Sequence, residues 1–222
     1  MRSAKTSPTS GDAEGPAACT ASCAECSSNC LEPLHDVASG ATGVSTWELS
    51  WVAAYTPRMK PEERSALWKR YLDAPARLRA ALERVPKDAL QWRPAPDKWS
   101  IHEVVAHCAD SETVAATRIR YVVCEDRPVI QGYDQDRWAR ASDYHSMPLE
   151  LALRQVEQVH AWTAEFLRVL PDSALERVAT HTESGAYSAE KWLRIYAQHI
   201  DDHVAQIERT LVQWNQRAAR SV

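Results

Sequence analysis

From Pro61 onward, apolar residues recur at steps of three and four, the spacing of helices that bury one face. The first segment, Glu62 to Val85, aligns Leu67, Tyr71, Ala74, Leu78, Leu82 and Val85. Pro75 interrupts it. A proline there removes a backbone donor and disfavours the helical region for Ala74, so the segment is either kinked or split. The split form, with Asp73 capping a second helix, is the reading favoured. The second segment opens on Ser100-Ile101-His102-Glu103, a capping box, and its inward stripe runs Ile101, Val104, His107/Cys108, Ser111, Ala115, Ile119 and Val122. A long connection follows, from Pro128 to about Met147, with a short helix expected near Asp136 to Ala141. The third segment, Pro148 to Val169, shows Leu149, Ala152, Leu153, Val156, Val159, Thr163, Phe166, Leu167 and Leu170. The fourth, Ser188 to Gln216, aligns Trp192, Ile195, Tyr196, His199, His203, Ile207, Leu211 and Trp214. No stretch has convincing period-two alternation, so essentially no sheet is expected. The pattern predicts an all-α four-helix bundle.

Residues 1–58 read differently. Rich in Ser, Ala, Thr and Gly and poor in apolar periodicity, they are expected to be a disordered extension, or translated sequence upstream of a true start at Met59. The bundle is assigned to residues 59–222. An apolar patch from Trp47 to Tyr55 is read as docking weakly or not at all. Cys19, Cys23, Cys26 and Cys30 crowd into twelve residues, with the spacing of an iron–sulfur motif in the first three and enough thiolates for zinc. Neither pattern is otherwise supported, and no role is assigned to them.

A formal net charge of −4, with acids and bases interleaved, argues against a nucleic-acid partner. No apolar run approaches the ~18 residues of a membrane helix, and no apolar run follows Met1 to Lys5, so a cytoplasmic protein without membrane attachment is expected.

Candidate chemistry lies in the histidines. His199 and His203 are four residues apart, so both rings leave one helix face. They interrupt the apolar stripe of their segment, where unsatisfied polar atoms are costly. His107 lies at the edge of the second segment's inward stripe, whereas His102 falls on the opposite face. Three histidines from two helices leave coordination positions open on a shared divalent ion. Periodicity alone equally allows core histidines bonded to carbonyls or water. His35, His145 and His160 carry no signal, and Cys108 and Cys124 read as small core residues.

Several separated motifs resemble the DinB/YfiT-like family over residues 62 to 216. They are Lys98-Trp99-Ser100-Ile101-His102-Glu103-Val104-Val105-Ala106-His107 with Asp110 and Glu112; Gly132-Tyr133-Asp134-Gln135-Asp136 with Trp138; His181-Thr182-Glu183-Ser184-Gly185; and His199-x3-His203 with Gln206-Ile207. The resemblance implies an up-down-down-up four-helix bundle and a zinc or nickel site on His107, His199 and His203. Characterised members of the family include thiol-dependent S-transferases, and others are described as metal-dependent hydrolases. The expected function is therefore activation of a low-molecular-weight thiol or of water on one divalent ion for attack on a small electrophile, with a homodimer expected from the family. The rival is a non-catalytic bundle that binds a metal or a ligand. Asp110 is the candidate catalytic carboxylate, placed to orient an imidazole or accept a proton. Gln206 stands i+3 from His203 as a supporting residue. Tyr133, Asp134 and Trp138 are candidates for the mouth of the site, and His181 is a candidate to approach it.

Overall fold

The computed structural model describes residues 59–220. The expectations for residues 1–58, including the four clustered cysteines, His35 and the Trp47–Tyr55 patch, lie outside the described residues. Five helices follow in order: α1 (Pro61–Leu82), α2 (Ile101–Cys124), the short α3 (Gln135–Ala141), α4 (Leu149–Arg168) and α5 (Ala189–Arg220). The four long ones form the bundle.

Side-chain register fixes their directions. Along α1 and α5, Glu63 pairs with Arg194, Arg70 with Asp201 and Arg84 with Glu208, so both numbers rise together and the helices are parallel. Against α4 the numbers run oppositely: Tyr71 stacks on His160, while Arg79 meets Glu157 and Glu150. Between α2 and α5 they also run oppositely, with His107 beside His203, Glu112 on His199, and Trp192 donating to the Ala115 carbonyl. The order is therefore up-down-down-up. Because α2 and α4 point the same way, the chain between them must return along the bundle, which accounts for its length.

α1 is one helix, not two. Pro75 is buried within it, and the split expectation is overturned. Tyr71, Ala74, Pro75 and Leu78 all face the core, and burial of such side chains, at about 1.5–3 kcal/mol for a large one, offsets the proline's cost. Arg77 Nη2 donates to the Arg70 carbonyl at 2.8 Å, supplying a donor beside the gap in the ladder. At the start of α2 the capping box forms as read: Ser100 Oγ accepts from Glu103 N, and Ser100 N donates to the Glu103 carboxylate.

The expectation of no sheet is also overturned. β1 (Val129–Ile130) runs parallel to β2 (Val178–His181), and β2 pairs antiparallel with β3 (Gly185–Ser188). Strands of two to four residues are too short for alternation to show in a sequence window. The sheet ties the exit of α2 to the hairpin before α5. At Gly132 an added Cβ would lie 2.2 Å from the Glu183 carboxylate carbon, so glycine allows this close approach.

Two departures concern helix faces. α2 is buried on nearly every side of its first half, because α3 and the turn at Tyr144–Ser146 cover the face away from the bundle. His102 is consequently 8 % exposed and lies 2.7 Å from the Met147 carbonyl, a structural contact of that covering segment. On α5 the buried arc includes Leu193, Ala197 and Ile200, while Ile195 is outside. α5 packs against both α1 and α2, so its apolar arc is wider than a single stripe.

No helix among the described residues is long and apolar enough to cross a membrane.

Candidate metal centre

The antiparallel register of α2 and α5 brings His107 opposite His199 and His203. Their ring centroids lie 4.6 Å (His199–His203), 4.8 Å (His107–His203) and 5.6 Å (His107–His199) apart. One nitrogen of each ring lies within 4.8 Å of the other two. His107 is buried, packed beneath the tilted Trp99 ring at 4.8 Å, and the two α5 histidines are half-buried.

The hydrogen bonds determine which nitrogens face inward. His199 Nδ1 donates to Glu112 Oε1 at 2.9 Å, and His203 Nδ1 donates to Gln206 Oε1 at 3.0 Å. A hydrogen on Nδ1 leaves each neutral ring with a lone pair on Nε2. Those two Nε2 atoms lie 3.1 Å apart. Two facing lone pairs repel unless a hydrogen or a cation stands between them, and both ring hydrogens are committed elsewhere. Nitrogens bound to one zinc-like ion at ~2.0–2.1 Å lie roughly 3–3.5 Å from each other. For this pair the spacing and the tautomers both fit a shared ion. His107 Nδ1 adds a buried nitrogen with no hydrogen-bond partner.

Electrostatics point the same way. Burial, with His203 and His199 adding to it, lowers the His107 pKa to about 3. Burial and the neighbouring His199 lower His203 to about 4. His107 and His203 are thus neutral imidazoles near pH 7, as metal ligands must be.

Glu112 is the residue that sequence reasoning missed as part of the site. It is fully buried and lies between two histidines, 2.9 Å from His199 Nδ1 and 2.9 Å from His160 Nε2, the latter at an angle poor for donation. Burial alone would raise its pKa, but the hydrogen bond from His199 and the close approach of His160 outweigh that and hold it at about 2. His160, given no role from the sequence, is 3 % exposed and stacks on Tyr71 at 4.2 Å. A signal existed for both. Glu112 lies four residues after Cys108 on the inward face, and His160 four after Val156. An ionisable residue on a buried stripe demands a partner.

The other candidates divide. Gln206 accepts from His203 Nδ1 through Oε1. Asp110, half-buried, accepts a hydrogen bond from the buried Tyr144 hydroxyl at 2.6 Å, which fastens the covering segment to α2. Tyr133 packs on Trp138 with ring centroids 4.6 Å apart, and its hydroxyl is buried. Trp138 itself is 39 % exposed. Asp134 is exposed and caps α3 by accepting from Arg137 N at 2.9 Å, so its carboxylate serves the helix and not a site mouth. His181 sits in the hairpin, where its Nδ1 accepts from Glu183 N and Ser184 N while its ring stacks on Tyr187. The metal-competent group does not include it. Ser111, not singled out before, places Oγ 3.3 Å from His199 Nε2. Cys108 is buried, with its thiol pKa pushed well up by that burial, as a core residue should be.

The fold has relatives. The solved structure of YfiT from Bacillus subtilis, described as an unusual four-helix bundle topology, superposes with a TM-score of 0.66 at 24 % identity, covering 72 % of this chain and 94 % of that one. By sequence, this chain is 38 % identical over 109 residues to a protein of Oceanobacillus iheyensis, a match spanning 49 % of this chain and 63 % of that one. It is 28 % identical over 160 residues to YfiT, spanning 70 % and 89 % of the two chains. Both relatives are named "Putative metal-dependent hydrolase". The family model of the DinB superfamily matches residues 70–207, a span that holds all three histidines and Glu112, and the chain belongs to that superfamily.

Proposed function

We propose that His107, His199 and His203 hold one divalent metal ion, zinc or nickel, and that the protein is a metal-dependent enzyme attacking a small electrophilic substrate with water or a thiol. The observation carrying this reading is the pair of Nε2 atoms 3.1 Å apart whose rings have both given their Nδ1 hydrogens to oxygen.

A divalent ion bound there supplies Lewis acidity that makes water or a thiol nucleophilic near neutral pH. The chain's residues do the rest. Glu112 and Gln206 hold two ligand rings in the tautomer and orientation that present Nε2, an outer support typical of histidine metal sites. Trp99 walls one side of His107. Ser111 presents a hydroxyl beside His199, within reach of a substrate oxygen. Asp110, held by Tyr144, is assigned the proton-accepting role. Three imidazoles leave positions for a nucleophile and a substrate, as in catalytic rather than structural sites.

The relatives' names favour water as the nucleophile. The thiol S-transferase type is the second reading, drawn from the family resemblance. Metal analysis of the purified full chain is expected to give about one ion per chain, and His199→Ala is expected to lose it. Full retention in that variant would refute the ligand set. Incubating the metal-loaded protein with a fluorogenic ester and a fluorogenic alkylating agent, with and without low-molecular-weight thiols, separates the two chemistries. Turnover without thiol means hydrolysis, and turnover only with thiol means transfer. Absence of both would leave a non-catalytic metal-binding bundle.

A further inference from the structure

Beside the three imidazoles lies a second polar cluster that metal binding leaves unused. Arg118 follows Ser111 by seven residues on α2, two turns along the same face, and helical side chains lean back toward the N-terminus and so toward Ser111. Its Nη2 donates to the Gln131 carbonyl at 2.8 Å and its Nη1 to the Tyr196 hydroxyl at 3.3 Å. Its Nε is buried without a hydrogen-bond partner. Among the described residues no carboxylate pairs with this guanidinium. Those nearest the site are committed: Glu112 to two histidines, Asp110 to Tyr144, and Glu183 packed over Gly132.

Three phenols surround the guanidinium. Its carbon lies 5.7 Å from the centre of the Tyr133 ring. Tyr187 is 2 % exposed, and the hydroxyls of Tyr133, beside Ser111, and of Tyr187, beside Tyr196 and Arg118, are buried and make no well-aligned hydrogen bond. Tyr196 accepts from Arg118 and keeps its own hydrogen to give, while its ring meets His199 at 5.7 Å. Burial raises the pKa of all three phenols, Tyr196 to about 12, so each is an O–H donor at neutral pH. Arg118 meets Tyr133 at its ring face and Tyr196 at its hydroxyl, and Tyr187 lies close enough to feel its charge. Buried polar groups are nearly always partnered. Here an arginine nitrogen and two hydroxyls, every one able to donate, make no well-aligned hydrogen bond at the edge of the candidate metal centre.

We propose that Arg118, with the hydroxyls of Tyr133, Tyr187 and Tyr196, forms a carboxylate-binding subsite beside the three histidines, so that the substrate is a small molecule bearing a carboxylate as well as its electrophilic group. The substrate assignment rests on the metal-dependent reading above, whereas the subsite itself consists of this chain's own donors. One cation with neutral hydroxyls suits a single negative charge. A phosphate dianion ordinarily draws further cations or a run of backbone N–H groups. The next cation, Lys191, is 5.5 Å from the Tyr187 ring and already donates to Ser184 and Ala186.

The test is equilibrium binding of sodium benzoate to the metal-loaded full chain, with benzamide and inorganic phosphate as comparisons. Benzoate is expected to bind, with both comparisons at least about tenfold weaker. Arg118→Gln should weaken benzoate roughly 10- to 100-fold and Tyr187→Phe about fivefold, with metal content unchanged. Arg118→Lys should recover part of the loss. In His199→Ala, expected to lack the ion, benzoate binding should persist and remain sensitive to Arg118→Gln, which separates failure of the subsite from failure of the metal reading. Equal affinity in folded wild type and Arg118→Gln would overturn the proposal. So would phosphate binding as tightly as benzoate, or benzoate affinity lost in His199→Ala yet unchanged in Arg118→Gln. If Arg118→Gln does not fold, Tyr133→Phe and Tyr187→Phe decide, and unchanged affinity in both overturns it.

Discussion

Replacing Glu112 by Gln tests the centre at its least exposed point. The substitution keeps the side chain's shape and removes its charge. In the wild type the carboxylate accepts from His199 Nδ1 at 2.9 Å and lies 2.9 Å from His160 Nε2, inside a fully buried site. Its pKa, lowered from 4.5 to about 2, corresponds to roughly 3 kcal/mol of preference for the ionised form in the folded state. The sign is that of a depressed carboxylate: the contribution is complete above the unfolded value and is lost as pH falls toward 2. Neutral hydrogen bonds of about 1 kcal/mol each replace part of it in the amide. The expected net loss of stability at pH 7 is therefore roughly 1–3 kcal/mol. The metal suffers separately. A glutamine nitrogen facing His199 Nδ1 donates a hydrogen there, which moves the ring's own hydrogen to Nε2, where the ligand lone pair belongs. Affinity should fall by about 10- to 100-fold, the usual cost of losing such outer support. Chelator competition measures the affinity and urea unfolding the stability, at pH 7 and again near pH 3, where the stability difference between the two proteins should narrow. Affinity within twofold of wild type would refute the claim that Glu112 sets the His199 tautomer.

Further outcomes follow from other contacts. In metal-free protein, His107 and His203 resist protonation until about pH 3 and 4, whereas the unfolded chain takes up those protons near 6.5. The unfolded state then binds more protons between these values, so apoprotein stability should decline as pH falls from 6.5 to about 4; a flat urea midpoint across that window would contradict the burial argument. Ser100→Ala removes the acceptor for Glu103 N and the partner of His145 Nε2 at 2.7 Å, and should cost about 1 kcal/mol or slightly more in urea unfolding. Tyr144→Phe cuts the hydroxyl from Asp110, and should speed amide exchange in the segment before α4 while leaving metal content intact.

The bundle was legible because its signal is long-range and redundant. Each long helix offers five or more apolar positions in phase, and a capping box marked the start of α2 to the residue. Errors came where local and global preferences disagree. Pro75 argues locally for a break, yet Tyr71, Ala74 and Leu78 on either side of it are each at most 1 % exposed, and their burial holds the helix together. The strands escaped notice because each is shorter than the window in which alternation can be recognised. At the site, His107, His199 and His203 stood out as polar interruptions of apolar stripes. Glu112 and His160 interrupt stripes too, but their meaning depends on which helix faces which. That depends in turn on a topology that periodicity does not reveal.

The parallel course of α2 and α4 links that topology to the chemistry. A simple up-and-down bundle joins its second and third helices by a short turn, which leaves the outer face of α2 in solvent. Here the return connection runs over that face. Its Tyr144 reaches Asp110, its Met147 carbonyl meets His102, and its Tyr133 carries a hydroxyl into the region of Ser111 and Arg118. The histidine cluster is therefore enclosed on a side that would otherwise be open, which lowers the pKa values of His107 and His203 and leaves buried donors without well-aligned hydrogen bonds. The same strand that begins this connection, β1, pairs with β2 of the hairpin carrying Tyr187. The metal-competent histidines come from α2 and α5, whereas two of the three phenols around Arg118 come from the segments joined by the sheet. Changes in those segments should alter which substrate is accepted without altering whether a metal binds, because none of them supplies a ligand nitrogen.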